Sequence, residues 1–392
     1  MKNGLPAMGY GLRPEGAVLR LALAALALVA LTSQAAVLPE DRADVLYHRY
    51  DGGGVKIDGP SLLVRKKFAE KYSVSANYYV DMVSSASIDV LTTASPYKEE
   101  RTQESLGVAF LRGKTTYSVD YTNSDENDYT ANTASFGISQ DMFGDLTTLS
   151  LGFSRGWDEV RKRGDTLFAE NTDRRSYRVG LSQILTRSMI MSAGFEVITD
   201  EGFLNNPYRS VRYLDASSGN GYSFQAELYP RTRTSNAISV DTRYFLPYRA
   251  ALHGGIRYFT DTWGIESQTA EIGYTHPTAG PWTFEASFRY YSQTKADFYS
   301  DLFARRDFQN FLARDKELST FDSGTFRLGA SYEFARSGWR WVKKGSVNVY
   351  YDRMEFSYDD FRNIYNQNVA PGSEPLYTFG ANVFQVFMSL WF

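Results

Sequence analysis

From about residue 43 onward, apolar and polar positions alternate with a period of two, in segments of about nine to fourteen residues. That period places successive side chains on opposite faces of an extended strand. In YSVSANYYVDMV one face carries Val74, Ala76, Tyr78, Val80 and Met82, and the other carries Ser73, Ser75, Asn77, Tyr79 and Asp81. TTYSVDYT sets Tyr117, Val119 and Tyr121 against Ser118 and Asp120. TFRLGASYEF sets Phe326, Leu328, Ala330, Tyr332 and Phe334 against Arg327, Ser331 and Glu333. The pattern predicts strands at 43–50, 56–68, 72–83, 104–113, 115–123, 132–142, 146–156 and 174–185. Further strands are predicted at 188–199, 234–244, 250–261, 266–276, 281–292, 321–334, 344–356 and 378–392, making sixteen. DGGGVKIDGPS interrupts the alternation in the first two, so fourteen is the alternative count.

A β-sandwich alternates too; three further features select a membrane barrel. Short turns, LRGK (111–114), MFGD (142–145) and HPTAGP (276–281), take turns with long polar connections at 84–103, 157–173, 200–233, 293–320 and 357–377. Outer-membrane barrels have this asymmetry between their two ends. All six tryptophans (Trp157, Trp263, Trp282, Trp339, Trp341 and Trp391) fall near the ends of predicted strands, where interfacial aromatic girdles lie. The segment VFQVFMSLWF places Phe384, Val386, Met388, Leu390 and Phe392 on one face. In water such a strand is an aggregation hazard. In a closed barrel lipid covers one face and both edges are paired. Its spacing and final aromatic residue resemble the signal by which outer-membrane barrels are recognised for insertion. The fold class expected is therefore all-β, a transmembrane antiparallel up-and-down β-barrel over residues 36–392.

The beginning of the chain supplies an address. Lys2, Arg13 and Arg20 precede the eleven-residue apolar run LALAALALVAL, with small residues at Ser33 and Ala35. This is the layout of a cleaved signal peptide, with cleavage expected after Ala35. Eleven residues are too few to cross a bilayer core of about 30 Å as a helix. No later apolar run reaches the 18 residues of a membrane helix. The expected location is the bacterial outer membrane. The expected partners are its lipid, the barrel-insertion machinery and periplasmic proteins.

Composition agrees. Tyr (28), Phe (26) and Gly (31) are abundant, while the mean hydropathy is a polar −0.37. A net charge of −3 with no long basic run gives no reason to expect nucleic acid. The absence of cysteine excludes disulfides, thiolate metal sites and a cysteine nucleophile.

Candidate chemistry is sparse. GFSRG (Gly152–Gly156) matches the nucleophile-elbow pattern around Ser154, but that motif requires a strand–turn–helix setting, and here it ends a strand. Of His48, His253 and His276, only His253 is read as mid-strand on the lumen face, where a wall histidine is the plainer reading. No catalytic residue, metal site or cofactor is expected. NSDENDY (Asn123–Tyr129) gathers carboxylates without a full calcium-loop pattern and reads as a solvated loop tip.

The face opposite the apolar one collects Asp81, Asp120, Glu196, Asp241, Glu271, Glu285, Glu333 and Asp352 with Arg178, Arg243, Arg257, Arg289 and Arg327. Mixed signs on a barrel wall fit mutual pairing at least as well as ion selection. In the 293–320 connection Phe298, Leu302, Phe308, Phe311 and Leu312 approach helical spacing, interleaved with Arg305, Arg306 and Arg314. That segment either enters the barrel as a constriction or packs as a short helix on the rim. EGFLNNPYRSVRYLD, with Arg209 and Arg212, has a similar aromatic–arginine mix. Long loops in compact structures are often functional, so these two are the expected places of specific contact.

The blocks HRYDGGGVKIDGPSLLVRKKF, VSANYYVDMVSSASIDVLTTASPY, NTASFGISQDMFGDLTTLSLGFSRGWDEV, DEGFLNNPYRSVRYLD and LPYRAALHGGIRYFTDTWGI resemble a bacterial family catalogued as domain of unknown function 3570. The resemblance extends over the whole chain beyond the leader. It implies an exported outer-membrane-type barrel and supplies no catalytic residues. It also implies a periplasmic redox system, a flavin transferase and a small lipoprotein, as partner; no flavin or haem attachment sequence is visible here. The function expected is a passage or export channel for a small solute or peptide. The alternatives are a docking barrel with a closed lumen and, third, an outer-membrane enzyme.

Overall fold

Alternation needs a surface on each side, and the chain provides both by closing on itself. The computed structural model describes residues 37–85, 97–365 and 369–392; the expected leader, 1–35, lies outside them, as does much of the 84–103 connection. The strands are β1 (Arg42–Gly52), β2 (Val55–Phe68), β3 (Tyr72–Ser85), β4 (Tyr97–Arg112), β5 (Thr115–Asp125), β6 (Tyr129–Met142), β7 (Thr147–Lys162), β8 (Asp165–Thr186) and β9 (Met189–Gly202). They continue with β10 (Ser210–Leu214), β11 (Tyr222–Ala226), β12 (Thr232–Phe245), β13 (Ala251–Asp261), β14 (Glu266–Pro277), β15 (Trp282–Gln293), β16 (Phe321–Phe334), β17 (Lys344–Arg362) and β18 (Leu376–Trp391). All but β10 and β11 form one closed antiparallel barrel of sixteen strands. β1 closes it against β18 in a register running from Arg42↔Trp391 to Gly52↔Ala381. β10 and β11 form a separate two-stranded sheet within the connection between β9 and β12.

Each of the sixteen expected strands is a barrel strand. The doubtful DGGGVKIDGPS contains a hairpin turn at Gly53–Gly54, with the end of β1 before it and the start of β2 after it. Gly53 and Gly54 have φ of 58° and 81°, the left-handed pair that a two-residue β-turn needs and that glycine adopts without strain. Fourteen strands is thereby excluded. Other expectations are corrected. The segment 157–173 is not a loop: β7 runs on to Lys162 and β8 starts at Asp165. β9 extends to Gly202, β17 to Arg362, and β4 begins at Tyr97. No α-helix forms in 293–320, where the one regular element is the 3₁₀ turn Lys316–Leu318.

Large apolar side chains are exposed on one parity of each barrel strand: Val45 and Tyr47 on β1, Leu62 and Val64 on β2, Phe284, Phe288 and Tyr290 on β15, and Phe384 and Met388 on β18. That outward face has its own upper edge. Tyr47 donates to Asp58, Tyr121 to Asn132, Tyr290 to Asp322 and Tyr351 to Asn382, each pair on adjacent strands. Phenols whose hydroxyls point at carboxylates and amides mark the change from apolar to wet surroundings. From Trp282 to Tyr290 on β15 the outward face rises about 21 Å along the barrel axis, close to the apolar band of a membrane barrel.

Candidate functional site

Sixteen strands about 4.8 Å apart and tilted by about 40° give a barrel of about 16 Å radius. An interior that wide is lined by side chains without being filled by them. All thirteen charged residues expected in the lumen lie on the parity opposite the exposed apolar one. Several pair as mixed signs should. Arg327 holds Asp352 with two hydrogen bonds of 2.7 Å. Arg178 donates to Glu196 at 2.5 Å, and Arg257 lies 3.6 Å from the same carboxylate. His253 Nε2 stands 3.5 Å from Glu271, while Glu333 binds Arg336 at the turn end. Asp120 and Asp241 are exposed to the lumen. The Arg178 side chain remains 65% exposed although it points inward, so this part of the lumen is wet.

Opposite lies a drier wall. His48 on β1 is buried; its Nε2 is 2.8 Å from Asp81 Oδ1 and 3.1 Å from the Tyr79 hydroxyl, and its ring stacks on Tyr79. His253 is therefore not the one mid-strand lumen histidine. The sequence hid His48 because the surrounding glycine-rich segment blurred the parity of β1. Nearby, Tyr50, Val55, Ile57, Val83, Ala381 and Val383 form an inward apolar cluster. Ser154 lies mid-strand, opposite Ser135 on β6 and Ser176 on β8, without the strand–turn–helix context of a nucleophile elbow.

At the loop end the connections lean inward and lock together. The 294–320 segment packs Phe298, Tyr299, Ala313 and Leu318 with Tyr229 and Trp263, and against Phe259 of the inner wall. Gln293, also on the inner parity, donates to the carbonyls of Glu317 and Ser319 at 2.8 Å each. Trp263 is buried in this cluster and donates to Thr232 O, so it is not an interfacial tryptophan. Arg233 stacks on it at 4.5 Å.

The centre of the cap is Arg212, whose side chain has 0% exposure. It binds both carboxylate oxygens of Glu374, at 2.5 and 3.0 Å, together with the carbonyl and carboxylate of Asp301. Arg314 shares Asp301 at 2.9 Å and stacks on Phe361 at 4.5 Å. Burial opposes ionisation of Glu374, but the hydrogen bonds from Arg212 outweigh it and hold its pKa below the ordinary value. Arg212 and Glu374 belong to loops rooted six strands apart on the circumference, about 30 Å at this radius. Their contact brings these loops together over the mouth.

Of the other expected contacts, Arg209 pairs with Asp315 inside the cap. Phe298 is core, whereas Phe308 and Phe311 are exposed. Arg305 and Arg306 stay at the surface, Arg305 over the Phe308 ring and Arg306 near Asp307. On the far side Tyr208 joins Asp128, at the β5–β6 turn, and accepts from Arg163 N at 2.6 Å. NSDENDY thus supplies a buried anchor for the cap as well as a solvated tip. Glu227 accepts from Arg314 N at 2.7 Å and from the Tyr229 hydroxyl at 2.6 Å. Its burial pushes its pKa up to about 7.

The profile of the family described as a protein of unknown function (DUF3570) matches residues 86–372. No curated protein matches the sequence. Among solved structures, the siderophore receptor PirA of Pseudomonas aeruginosa is similar at 11% identity and a TM-score of 0.43; the alignment covers 83% of this chain but 60% of the receptor. OmpT of Vibrio cholerae, an outer membrane protein, gives 11% identity and 0.41, with 91% and 99% covered. A Pseudomonas aeruginosa FadL homologue gives 10% identity and 0.41, with 91% of each chain covered. At these scores the likeness assigns no function.

Proposed function

For a chain that belongs to the family of proteins of unknown function DUF3570, we propose a passage barrel of the bacterial outer membrane, which carries a small polar solute or peptide and serves a periplasmic partner system. The observation that carries the reading is the wet lumen. Arg178 is 65% exposed while facing inward, and a lumen filled by its own side chains would bury it. Membrane residence is supported by the outward apolar face, its tyrosine edge and the absence of free strand edges in the barrel. The turn end then faces the periplasm and the capped end the outside. Charges of both signs in the lumen favour neutral or zwitterionic solutes over strong ion selection.

The second reading is a docking barrel, favoured by the knot around Arg212, which narrows or shuts the mouth. Single-channel recording of the refolded protein in a planar bilayer separates the two. Stepwise openings that grow when residues 299–313 are removed are expected of the passage. A folded barrel that stays silent with and without that segment would overturn it in favour of docking.

A further inference from the structure

The outer wall is not uniform. Across β14–β17, near the turn end, lies a cleft of about 450 Å³ lined by Tyr274, Phe284, Ala286, Leu328, Ala330 and Tyr351. The small side chains of Ala286 and Ala330 form its floor between bulkier neighbours. Trp282 and Tyr332, with ring centroids 4.9 Å apart, stand at its turn-side end. The Tyr274 hydroxyl and His276 Nδ1, 2.9 Å apart, add a polar pair there. The cleft is apolar, elongated and open to whatever surrounds the barrel.

Immediately below it is the longest of the turn-side connections among the described residues, between Phe334 and Lys344. It carries Arg336, Arg340, Lys343 and Lys344, against Glu333 and Glu40 as neighbouring acids. A tight reciprocal bridge, Trp339 N to Val342 O at 2.8 Å and Val342 N to Trp339 O at 3.0 Å, holds Arg340 at its tip. Trp339 and Trp341 are 64% and 66% exposed. Trp341 packs edge-on against Phe392, on the outward parity of β18, so the turn continues the lipid-facing surface. From Ala330 to the end of β16 at Phe334 the drop is about 10 Å, and Arg336 lies just beyond in the turn, within the length of one phospholipid.

We propose that the cleft and this basic turn together form a binding site for an anionic phospholipid of the periplasmic leaflet. An acyl chain lies over Ala286 and Ala330, and the phosphate meets Arg336, Arg340 and Lys343. The excess of cations selects a negative headgroup, and the exposed tryptophans sit at headgroup depth. This rests on the membrane reading above.

The test is native mass spectrometry of the barrel released from vesicles of phosphatidylethanolamine and phosphatidylglycerol, with phosphatidylcholine vesicles as the neutral control. One retained phosphatidylglycerol is expected. Its retention should fall about fivefold for each cation removed in Arg340→Gln and Lys343→Gln, and it should be lost in Ala330→Phe, which fills the cleft. Equal retention of phosphatidylcholine, an adventitious lipid only, overturns the site, as does retention unchanged in both kinds of variant. A dimer that Ala330→Phe dissociates assigns the cleft to a second copy instead. Insertion into vesicles is checked separately by heat-modifiable electrophoretic mobility. A chain that never inserts overturns the membrane reading and the site with it.

Discussion

His48 on β1 and Asp81 on β3 are hydrogen-bonded at 2.8 Å although β2 runs between them. The residue that His48 faces on β2 is Gly59, where an added Cβ would strike the carbonyl of Val80 on β3. The missing side chain lets β2 lie close against the β3 backbone beside Asp81, within reach of the imidazole. Gly59→Ala is therefore expected to abolish the folded barrel in vesicles, read as loss of heat-modifiable mobility. His48→Ala should fold but unfold at lower urea, by about 1–3 kcal/mol, because Asp81 loses its buried partner. A Gly59→Ala barrel as stable as the wild type would sink this account.

Arg212 is expected to hold the cap closed. Removing it leaves Asp301 and Glu374 buried without their shared cation, a loss of about 3–5 kcal/mol to the loops. Hydrogen exchange across 294–320 should then accelerate in Arg212→Ala while the barrel strands keep their protection. Arg212→Lys should recover only part, since an ammonium cannot span both carboxylates as the guanidinium fork does. Unchanged exchange in Arg212→Ala would show that packing alone closes the mouth.

Cap closure is expected to weaken with rising pH through Glu227. In the closed cap its carboxyl keeps a proton up to about pH 7, whereas in an opened loop it ionises around the ordinary value of 4.5. Between those values the closed form binds more protons, so raising the pH favours opening, by at most about tenfold per pH unit for one proton. Above pH 7 the dependence should level off. Proteolysis within 299–313 measured from pH 4.5 to 8 should follow this curve in the wild type and lose it in Glu227→Gln. A flat wild-type profile contradicts it.

Gly152 on the wet wall offers a direct handle on the lumen. A side chain added there meets, within 4 Å, Cβ of Arg178 alone, at 3.6 Å. Gly152→Trp should fold normally and reduce conductance about twofold or more by narrowing the water path. Full conductance in that variant would place the passage elsewhere in the lumen.

Much of the barrel was legible because its cause is local: a period of two in the chain is the two-sidedness of its wall. Trp157 and Trp263 show the limit. Both fall beside predicted strand ends, yet Trp157 lies within the extended β7 while Trp263 is buried in the cap. Polar composition made 157–173 read as a loop, although strands rising above the membrane are polar on both faces. The Arg212–Glu374 contact joins residues 162 positions apart, and no spacing rule reports a pairing that only barrel curvature creates. His48 was missed for a different reason: the glycine-rich run beside it blurs the alternation of β1, and its partner Asp81 lies on a strand that is not its neighbour.

The closing register of β1 on β18 sets an order of events. Arg42 pairs with Trp391, so the seam joins the first barrel strand to the last. No shorter stretch of the chain can close the same ring, and until β18 arrives the growing sheet keeps two bare edges. Those edges offer unpaired backbone to any other unfinished copy. The half-built sheet is therefore the chain's most vulnerable form, and sealing the seam removes both exposed edges at once.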